Sequence, residues 1–300
     1  MAKSTYAKSA EPKTLALFVA IEANHPAAVR QAIAAGADPN AIEPTVVIDG
    51  KEYPQDWPAL HKAVLEPKRD AVVRVLLEAG AKPNLPSGNY TPLELAAEYA
   101  DPATLEAQVD GGATVASRVS KTGLGGGSAL NTAALAGQLA NVKWLLARGA
   151  PIDSMDAGRM TPLHAAVMAD ELKIAEVMLA HGADVNARDM FGKSPLFHCQ
   201  SVAIAKLLLK LGADPDAVDK ERTKAFDECD DEATKRVLER AADPAISNKP
   251  PPRGRDKQRA SDQRELRKNL TKATAKLSTV PTKTKPKPKS KSSKRVARRN

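Results

Sequence analysis

The sequence predicts an all-α solenoid of about six to seven helix pairs, joined by short β-hairpin connections and followed by a basic tail. Two phrases recur in step along the chain at spacings that centre on about 33 residues, and such self-similarity is typical of repeat architectures. Hydrophobic residues make up 42% of the chain but aromatic residues only 3%. Ala, Leu and Val therefore dominate the apolar content, which suits thin seams between helices better than the aromatic and β-branched strands of sandwiches and barrels.

The first phrase, Gly-Ala followed by polar and turn-forming residues, predicts where the second helix of each pair ends. Its copies begin at Gly36, Gly80, Gly112, Gly149, Gly182 and Gly212, and a decayed copy begins at Ala241. Glycine adopts the left-handed conformation that terminates a helix without strain. Successive copies lie 44, 32, 37, 33, 30 and 29 residues apart, so the two longest spacings predict insertions into the regular period.

The second phrase, of the type Thr-Pro-Leu-His, predicts where the first helix of each pair begins. Its copies begin at Pro58, Thr91, Ser128, Thr161, Ser194 and Thr223. The Thr161 hydroxyl can cap a helix start, and Pro162 fits the first helical position, where no N–H is needed. Apolar residues then recur at helical spacing in both helices of this pair: Leu163, Ala166, Val167, Ile174, Val177 and Met178. One pair cannot bury its own apolar face, so stability must come from stacking on its neighbours.

Together the two phrases resemble those of the ankyrin-repeat family, in which Thr-Pro-Leu-His opens the first helix and Gly-Ala-Asp closes the second. The resemblance covers about residues 14–244 and implies a scaffold that binds other macromolecules. It also implies structural roles for His61 and His164, not catalysis or metal binding. Other residues replace this histidine in three repeats, which keeps the helical pattern but puts their polar turn network in question: Glu94, Asn131 and Phe197.

Two insertions interrupt the repeat period. Residues 43–57 contain two short β-forming runs on either side of Asp49-Gly50. Because this dipeptide is typical of a type I′ turn, we expect an extended β-finger between the first and second repeats. Residues 116–127 contain four glycines. They lack the Gly-Lys-Ser/Thr ending of a phosphate-binding loop, and we interpret them as a flexible linker.

The family resemblance places variable contact residues on the hairpin tips and on the exposed side of the first helices. Ten residues of this chain fall at such positions: Tyr53, Trp57, Tyr90, Glu98, Tyr99, Met160, Met168, Met190, Phe191 and Lys193. They include half of the ten aromatic residues of the chain, and large amphipathic side chains dominate binding hot spots. We therefore predict a partner-binding surface there. The alternative is that these side chains pack between the hairpins and complete the core.

The C-terminal tail differs from the repeats in charge. Residues 245–300 contain 19 Lys and Arg and 3 Asp and Glu, a net charge of +16, which leaves −7 for the first 244 residues because the whole chain carries +9. Such a segment cannot bury enough apolar surface to fold alone. We expect it to be disordered, apart from a short amphipathic helix at 261–277 that forms on a partner. Nine basic residues near its end predict polyanion binding: Lys283, Lys285, Lys287, Lys289, Lys291, Lys294, Arg295, Arg298 and Arg299.

Nucleic acid is the leading candidate for the polyanion. The basic run near the end of the tail contains no aromatic side chain that could stack on bases, so it suits contact with the phosphate backbone and not the reading of sequence. An anionic membrane, an acidic protein surface (this chain's own included), a nuclear-import signal and a solubilising tail remain alternatives.

The sequence contains no nucleophile, phosphate-loop, kinase or metal-ligand motif, and we predict a monomeric, non-catalytic protein without a cofactor. Cys199 and Cys229 are expected to be packing residues within helices. No apolar run reaches the roughly 18 residues needed to span a membrane. The predicted function is a cytoplasmic scaffold for a protein partner. The alternatives are a bacterial effector or antitoxin-like binder, acting within a host cell, and a nucleic-acid-associated protein, which could be nuclear, whose main activity resides in the tail.

Overall fold

The computed structural model describes residues 5–6, 11–48, 51–53, 55–116, 127–243 and 268. Within these ranges the backbone forms twelve α-helices, three short strands and one 3₁₀ helix, Pro195–His198. The strands are β1 (Thr5–Tyr6), β2 (Val46–Ile48) and β3 (Lys51–Tyr53). The α-helices are α1 (Pro12–Glu22), α2 (Pro26–Ala34), α3 (Ala59–Val64), α4 (Asp70–Glu78), α5 (Pro92–Tyr99), α6 (Pro102–Asp110), α7 (Ala129–Leu135), α8 (Leu139–Ala147), α9 (Pro162–Met168), α10 (Leu172–Ala180), α11 (Val202–Lys210) and α12 (Glu232–Ala242).

The helices pack in two parallel rows. The first helices of successive pairs contact one another in the order α1, α3, α5, α7, α9 and the 3₁₀ helix. The second helices do the same in the order α2, α4, α6, α8, α10, α11 and α12. In the first five repeats the two helices of each pair also touch each other, so contacts run both within and between repeats, as expected for a solenoid. The predicted fold class is confirmed.

Leucine and alanine fill the seam between successive first helices. The leucines of the second phrase, Leu93, Leu130, Leu163 and Leu196, are at most 2% exposed. Alanines one helical turn later, Ala96, Ala133 and Ala166, are fully buried. A methyl side chain at this position lets neighbouring helix backbones approach closely without leaving a void. This packing explains how a chain with few aromatic residues still forms a continuous core.

In four of the phrases, the side chain that ends the Gly-Ala phrase ties its repeat to the next. Asn84 donates from Nδ2 to the Gly112 carbonyl at 3.0 Å and accepts at Oδ1 from the Thr114 N–H at 2.9 Å. Asn40 and Asn186 make the same two bonds to the following phrase. Asp153 accepts from the Asp184 N–H at 3.1 Å, but a carboxylate cannot donate the second bond. An amide thus joins the backbones of adjacent repeats through both of its polar groups.

The β-finger forms as predicted from strands β2 and β3, which pair antiparallel with Val46 opposite Tyr53. Its predicted Asp49-Gly50 turn lies outside the described residues. A third strand, β1, pairs along β2, and Thr5 lies opposite Val47. Strand β1 could not be predicted from the sequence, because two residues are too few to show an alternating pattern.

The base of the finger is fixed to the first two repeats. The Glu43 N–H donates to the Trp57 carbonyl at 2.8 Å, and the Lys62 ammonium lies 2.7 Å from the Glu43 carboxylate and 3.2 Å from that of Glu22. Burial alone would lower the pKa of Lys62, but the two carboxylates more than offset this and raise it. Lys62 therefore remains charged and holds the insertion against the stack.

The repeats become shorter toward the C-terminal end. In the fifth repeat the first helix, α9, has seven residues, whereas in the sixth it is replaced by the four-residue 3₁₀ helix Pro195–His198. The loss of three residues matches the shorter spacing of 30 between Gly182 and Gly212. In the described part of the seventh repeat, α12 has no first helix to pair with.

The prediction that both cysteines lie in helices is wrong, since Cys199 follows the 3₁₀ helix and Cys229 precedes α12.

The last copy of the second phrase is displaced by one residue from its predicted start. The Asp219 N–H donates to the Thr223 carbonyl, as the Asp189 N–H does to that of Lys193, so Thr223 occupies the position before the phrase. The Lys224 N–H then donates to Asp227 Oδ2 at 2.9 Å, a bond from the first to the fourth residue of the phrase. Lys224, not Thr223, therefore corresponds to Thr161. The predicted start was one residue too early because Thr223 matches the threonine that begins the phrase.

Candidate functional site

The histidine position of the second phrase links each first helix to the following hairpin. In the fifth repeat the Thr161 N–H donates to His164 Nδ1 at 3.2 Å, so the ring proton lies on Nε2, which bonds the Lys193 carbonyl at 3.2 Å. His61 bonds the Tyr90 carbonyl in the same way, also at 3.2 Å. Burial lowers the pKa of both histidines to about 4, although these backbone bonds partly offset it. Both rings are therefore neutral structural groups at physiological pH.

Two of the three substitutions at this position preserve polar contacts, contrary to the doubt raised by the sequence. Asn131 donates from Nδ2 to the Met160 carbonyl at 2.8 Å, 29 residues further along the chain, as the histidines do. Glu94 accepts the Thr91 N–H at 2.7 Å in a capping box. Phe197 is buried at 3% exposure, and its phenyl ring offers no polar atom. The hairpin that follows the fourth repeat is thus positioned by an amide in place of an imidazole.

A groove lies along the ends of three successive first helices. We call it the helix-end groove. Its volume is about 290 Å³, and its lining consists of Tyr90, Glu98, Gly127, Asn131, Thr132, Leu135, Ala136, Asp156, Met160, Ala165 and Met168. Leu135 is 56% exposed and Met168 is 48% exposed, which is unusual for large apolar side chains whose neighbours in the same helices are buried. Tyr99, 47% exposed, follows the groove residue Glu98.

Acidic side chains contribute the charge that the described residues bring to the helix-end groove. In that part of the chain its charged lining residues are Glu98 and Asp156, and no described Lys or Arg lines it. A hydrogen bond to the Glu98 carboxylate raises the pKa of the Tyr99 hydroxyl, and burial adds to this. Asp156 Oδ1 accepts from the Met160 N–H at 2.8 Å, which fixes the hairpin wall of the groove. The surface therefore combines flexible apolar side chains with two carboxylates held in place.

The structure brings together four of the ten residues predicted to bind a partner, because Tyr90, Glu98, Met160 and Met168 all line the helix-end groove. Trp57 lies apart, partly buried against the core, with its ring centroid 6.0 Å from that of His61. Tyr53 belongs to β3, and its side chain lies outside the described atoms.

Of the other four predicted residues, Tyr99 is the last residue of α5, and Met190, Phe191 and Lys193 sit on the hairpin between the fifth and sixth repeats. Met190 and Phe191 are exposed there at 43% and 58%. Their backbones bridge the adjacent hairpins, since the Met190 N–H donates to the Gly158 carbonyl and the Phe191 carbonyl accepts from Lys220. Lys193 pairs with Glu228 at 2.7 Å, and this hydrogen bond raises the pKa of the ammonium. Lys193 is thus already engaged in joining two repeats.

Leu135 is the groove residue that the sequence analysis missed. It stands seven residues after Ser128, as Glu98 stands seven after Thr91 and Met168 seven after Thr161. The signal was therefore present in the alignment of the phrases. It was overlooked because an isolated leucine at a helix end is usually a core residue.

The described residues offer little for chemistry outside this groove. No cluster of three or more His, Cys, Asp or Glu side chains among them could hold a metal ion. Burial raises the pKa of the Cys199 thiol to about 11 and also raises that of Cys229. Both thiols are therefore protonated and poor nucleophiles. The half-buried His198 contacts Asp189 at 3.1 Å and packs edge-on against the ring of His164.

Several sequence predictions fall outside the described residues. They include most of the glycine-rich insertion at 116–127, the segment 261–277 except Lys268, and all nine basic residues of the polyanion prediction. Across the ranges that are described, no helix has the length and apolar character needed to cross a bilayer.

Comparison with known proteins agrees with the geometry. Residues 130–219 match the family model described as Ankyrin repeats (3 copies). The ankyrin repeat domain of human ASB11 is similar in structure, with a TM-score of 0.63, 22% identity, and coverage of 77% of this chain and 98% of that one. The ankyrin repeat domain of Bcl-3, a member of the IkappaB protein family, gives a TM-score of 0.58, 26% identity and coverage of 75% and 97%. A search of curated proteins gave no match. Residues 130–219 therefore match ankyrin repeats, and the fold of the described residues is similar to that of ankyrin repeat domains.

Proposed function

We propose that residues 14–244 form a non-catalytic scaffold that binds a protein partner through the helix-end groove and the adjoining hairpins. The observation that carries this proposal is the exposure of Tyr99, Leu135 and Met168 at the ends of three successive first helices. A monomer gains nothing from leaving a contiguous set of large apolar side chains in water, and such patches mark interaction sites. Methionine also adapts its shape to different apolar partners.

The groove favours a partner with a particular chemistry. Its exposed floor would receive one or two aliphatic or aromatic side chains, while Glu98 and Asp156 would attract basic residues beside them. Complementary charge of this kind contributes chiefly to specificity and association rate, and apolar anchors contribute most of the affinity. The proposed partner therefore presents an apolar stripe flanked by Lys or Arg.

A pair of matched substitutions tests the groove. We expect Leu135→Asp in the full chain to weaken partner binding by about 2 kcal/mol, with little change in the thermal transition because Leu135 is already exposed. Ile42→Asp is the control, since Ile42 is 58% exposed against 56% for Leu135 and lies outside the groove. Binding partners are first identified by affinity purification with the unsubstituted chain, and each is then titrated against both variants. Equal losses of affinity in the two variants would show that the groove is not the partner-binding surface.

We also propose that the nine basic residues between Lys283 and Arg299 add attachment to nucleic acid. The support is the net charge of +16 in residues 245–300, together with the absence of aromatic residues suited to base stacking. If 6 to 10 phosphates are contacted, the affinity for a DNA duplex should fall by about 10³ to 10⁵ between 50 and 200 mM salt. Fluorescence anisotropy measures this, and replacement of the nine residues by Gln provides the control. Affinity that is insensitive to salt, or unchanged by the replacement, would contradict the assignment.

A further inference from the structure

The helix-end groove has the properties of a site for a basic amphipathic helix. Leu135 and Met168 are exposed along one line of the groove, because they occupy equivalent positions in adjacent repeats. Glu98 and Asp156 supply negative charge at its sides, and none of the lining residues that the structure describes is a Lys or Arg. An apolar strip bordered by carboxylates matches a helix that carries an apolar face between basic residues.

The chain itself contains a segment with this pattern. Within residues 261–277, apolar side chains recur at helical spacing, and basic residues lie between them. At 3.6 residues per turn the four apolar side chains fall within about 60° of one another, and Arg267 and Lys276 flank them on opposite sides. The apolar residues are Leu266, Leu270, Ala273 and Leu277. Lys268, the one residue of the segment that the structure describes, is helical and exposed.

The segment lies close enough along the chain to reach the groove. The last described helix of the repeats, α12, packs on α11, α11 on α10, and α10 on α9, whose Met168 lines the groove. Three such steps of about 8–10 Å each give a separation on the order of 30 Å between the end of the array and the groove. Residues 244–260 are 17 in number and span at most about 60 Å when extended. The connection can therefore cross the distance with length to spare.

We propose that residues 261–277 form an amphipathic helix that occupies the helix-end groove of the same chain. The leucine face packs on Leu135 and Met168, and Arg267 and Lys276 lie toward Glu98 and Asp156. The proposal rests on the proposed function in one respect, namely that the groove is a binding surface. It adds regulation, because a partner must then displace the tail segment before it can bind.

Methionine oxidation in the full chain tests this docking. Met168 and Met190 are 48% and 43% exposed in the array, and only Met168 lines the groove, so an uncovered array would oxidise both at similar rates. If the segment is docked, hydrogen peroxide should oxidise Met168 several-fold more slowly than Met190, as measured by peptide mass spectrometry. Leu266→Asp/Leu270→Asp should bring the two rates together. Thr271→Asp/Ala275→Asp is the matched control, because it adds the same charge on the opposite face.

Each alternative outcome overturns the proposal. Similar rates for Met168 and Met190 in the unsubstituted chain show that the groove is open. If the two double variants change the oxidation rate of Met168 equally, the added negative charge causes the change, and the leucine face of the segment does not cover Met168. Protection of Met168 that grows with protein concentration assigns the segment to a second copy of the chain. None of these results depends on finding a partner, so the Leu135→Asp binding test of the groove stands or fails separately.

Discussion

The central repeats and the C-terminal repeats are built from the same phrases but end differently. In the third to fifth repeats the first helices α5, α7 and α9 have seven or eight residues, and their ends form the helix-end groove. In the sixth repeat the first helix is a four-residue 3₁₀ turn. The groove therefore stops where the first helices become incomplete, whereas the row of second helices continues to α12.

The hydrogen bond from the histidine position to the next hairpin differs between the fourth and fifth repeats and the sixth. Asn131 and His164 each bond a carbonyl 29 residues further on, at 2.8 and 3.2 Å, and both belong to repeats with complete first helices. Phe197 occupies this position in the sixth repeat, where the helix is short. The tie alone does not set the length of the first helix, since Glu94 in the eight-residue α5 caps its own helix, whereas His61 in the six-residue α3 does bond the next hairpin.

The largest expected difference between the two regions concerns the core. Leu163→Ala should destabilise the protein by about 3 kcal/mol, because the side chain is fully buried between repeats on both sides. Leu238→Ala in α12 should cost less, about 2 kcal/mol, since α12 packs mainly on α11 in the described part of the chain. Urea unfolding followed by circular dichroism measures both. An equal or larger loss at Leu238 would contradict the view that the C-terminal end is less constrained.

The side chain at the histidine position can be replaced by those found at the same position in other repeats. His164→Phe, which copies the sixth repeat, should cost about 2 kcal/mol, because the buried Thr161 N–H and the Lys193 carbonyl lose their partner. His164→Asn, which copies Asn131, should cost less than about 1 kcal/mol because the amide can still donate. The same unfolding assay compares them. If the two variants were equally unstable, the hydrogen bond to the hairpin would not account for the contribution of His164 to stability.

The pH dependence of stability should report the buried histidines of the second and fifth repeats. Their folded pKa of about 4 lies below the ordinary histidine pKa of 6.5, so the unfolded chain binds more protons between these values. The contribution of these histidines to the free energy of unfolding is therefore fully present above about pH 6.5. It falls as the pH drops toward 4, by up to about 1.4 kcal/mol per pH unit for each histidine. Urea midpoints between pH 7.5 and 4.5 measure the slope. His164→Asn should reduce it by up to half, and an unchanged slope would exclude His164 as a contributor.

The smallest expected effect concerns the amide between adjacent phrases. Asn186→Asp keeps the bond from the Asp214 N–H but loses the donor to the Gly212 carbonyl, and we expect a loss of about 1 kcal/mol. Asp153→Asn makes the reverse change and should gain about 0.5 kcal/mol. Thermal unfolding of the two variants beside the parent measures this pair. Changes of the same sign would show that charge at these sites outweighs the hydrogen bond.

The repeats could be recognised from sequence because local chemistry specifies their ends. The threonine and proline at 161–162 begin a helix, and Gly182, with a φ of 93°, ends the next one. The two strands of the β-finger were likewise predictable from a β-forming run on each side of Asp49-Gly50. The 3₁₀ helix at Pro195–His198 and the one-residue displacement at Lys224 were not, since they depend on which backbone groups neighbouring repeats leave available for bonding.

The sequence by itself determined the order, number and approximate limits of the helix pairs, and the contrast between an acidic array and a basic tail. Only the tertiary structure decided which exposed residues form one surface. Leu135 and Met168 are 33 residues apart and meet because stacking sets α7 beside α9, whereas Trp57 lies apart from them against the core. The physical reason is that helix ends are specified by bonds within a few residues, while a binding surface depends on packing between repeats, where the side chains that come together are far apart in the chain.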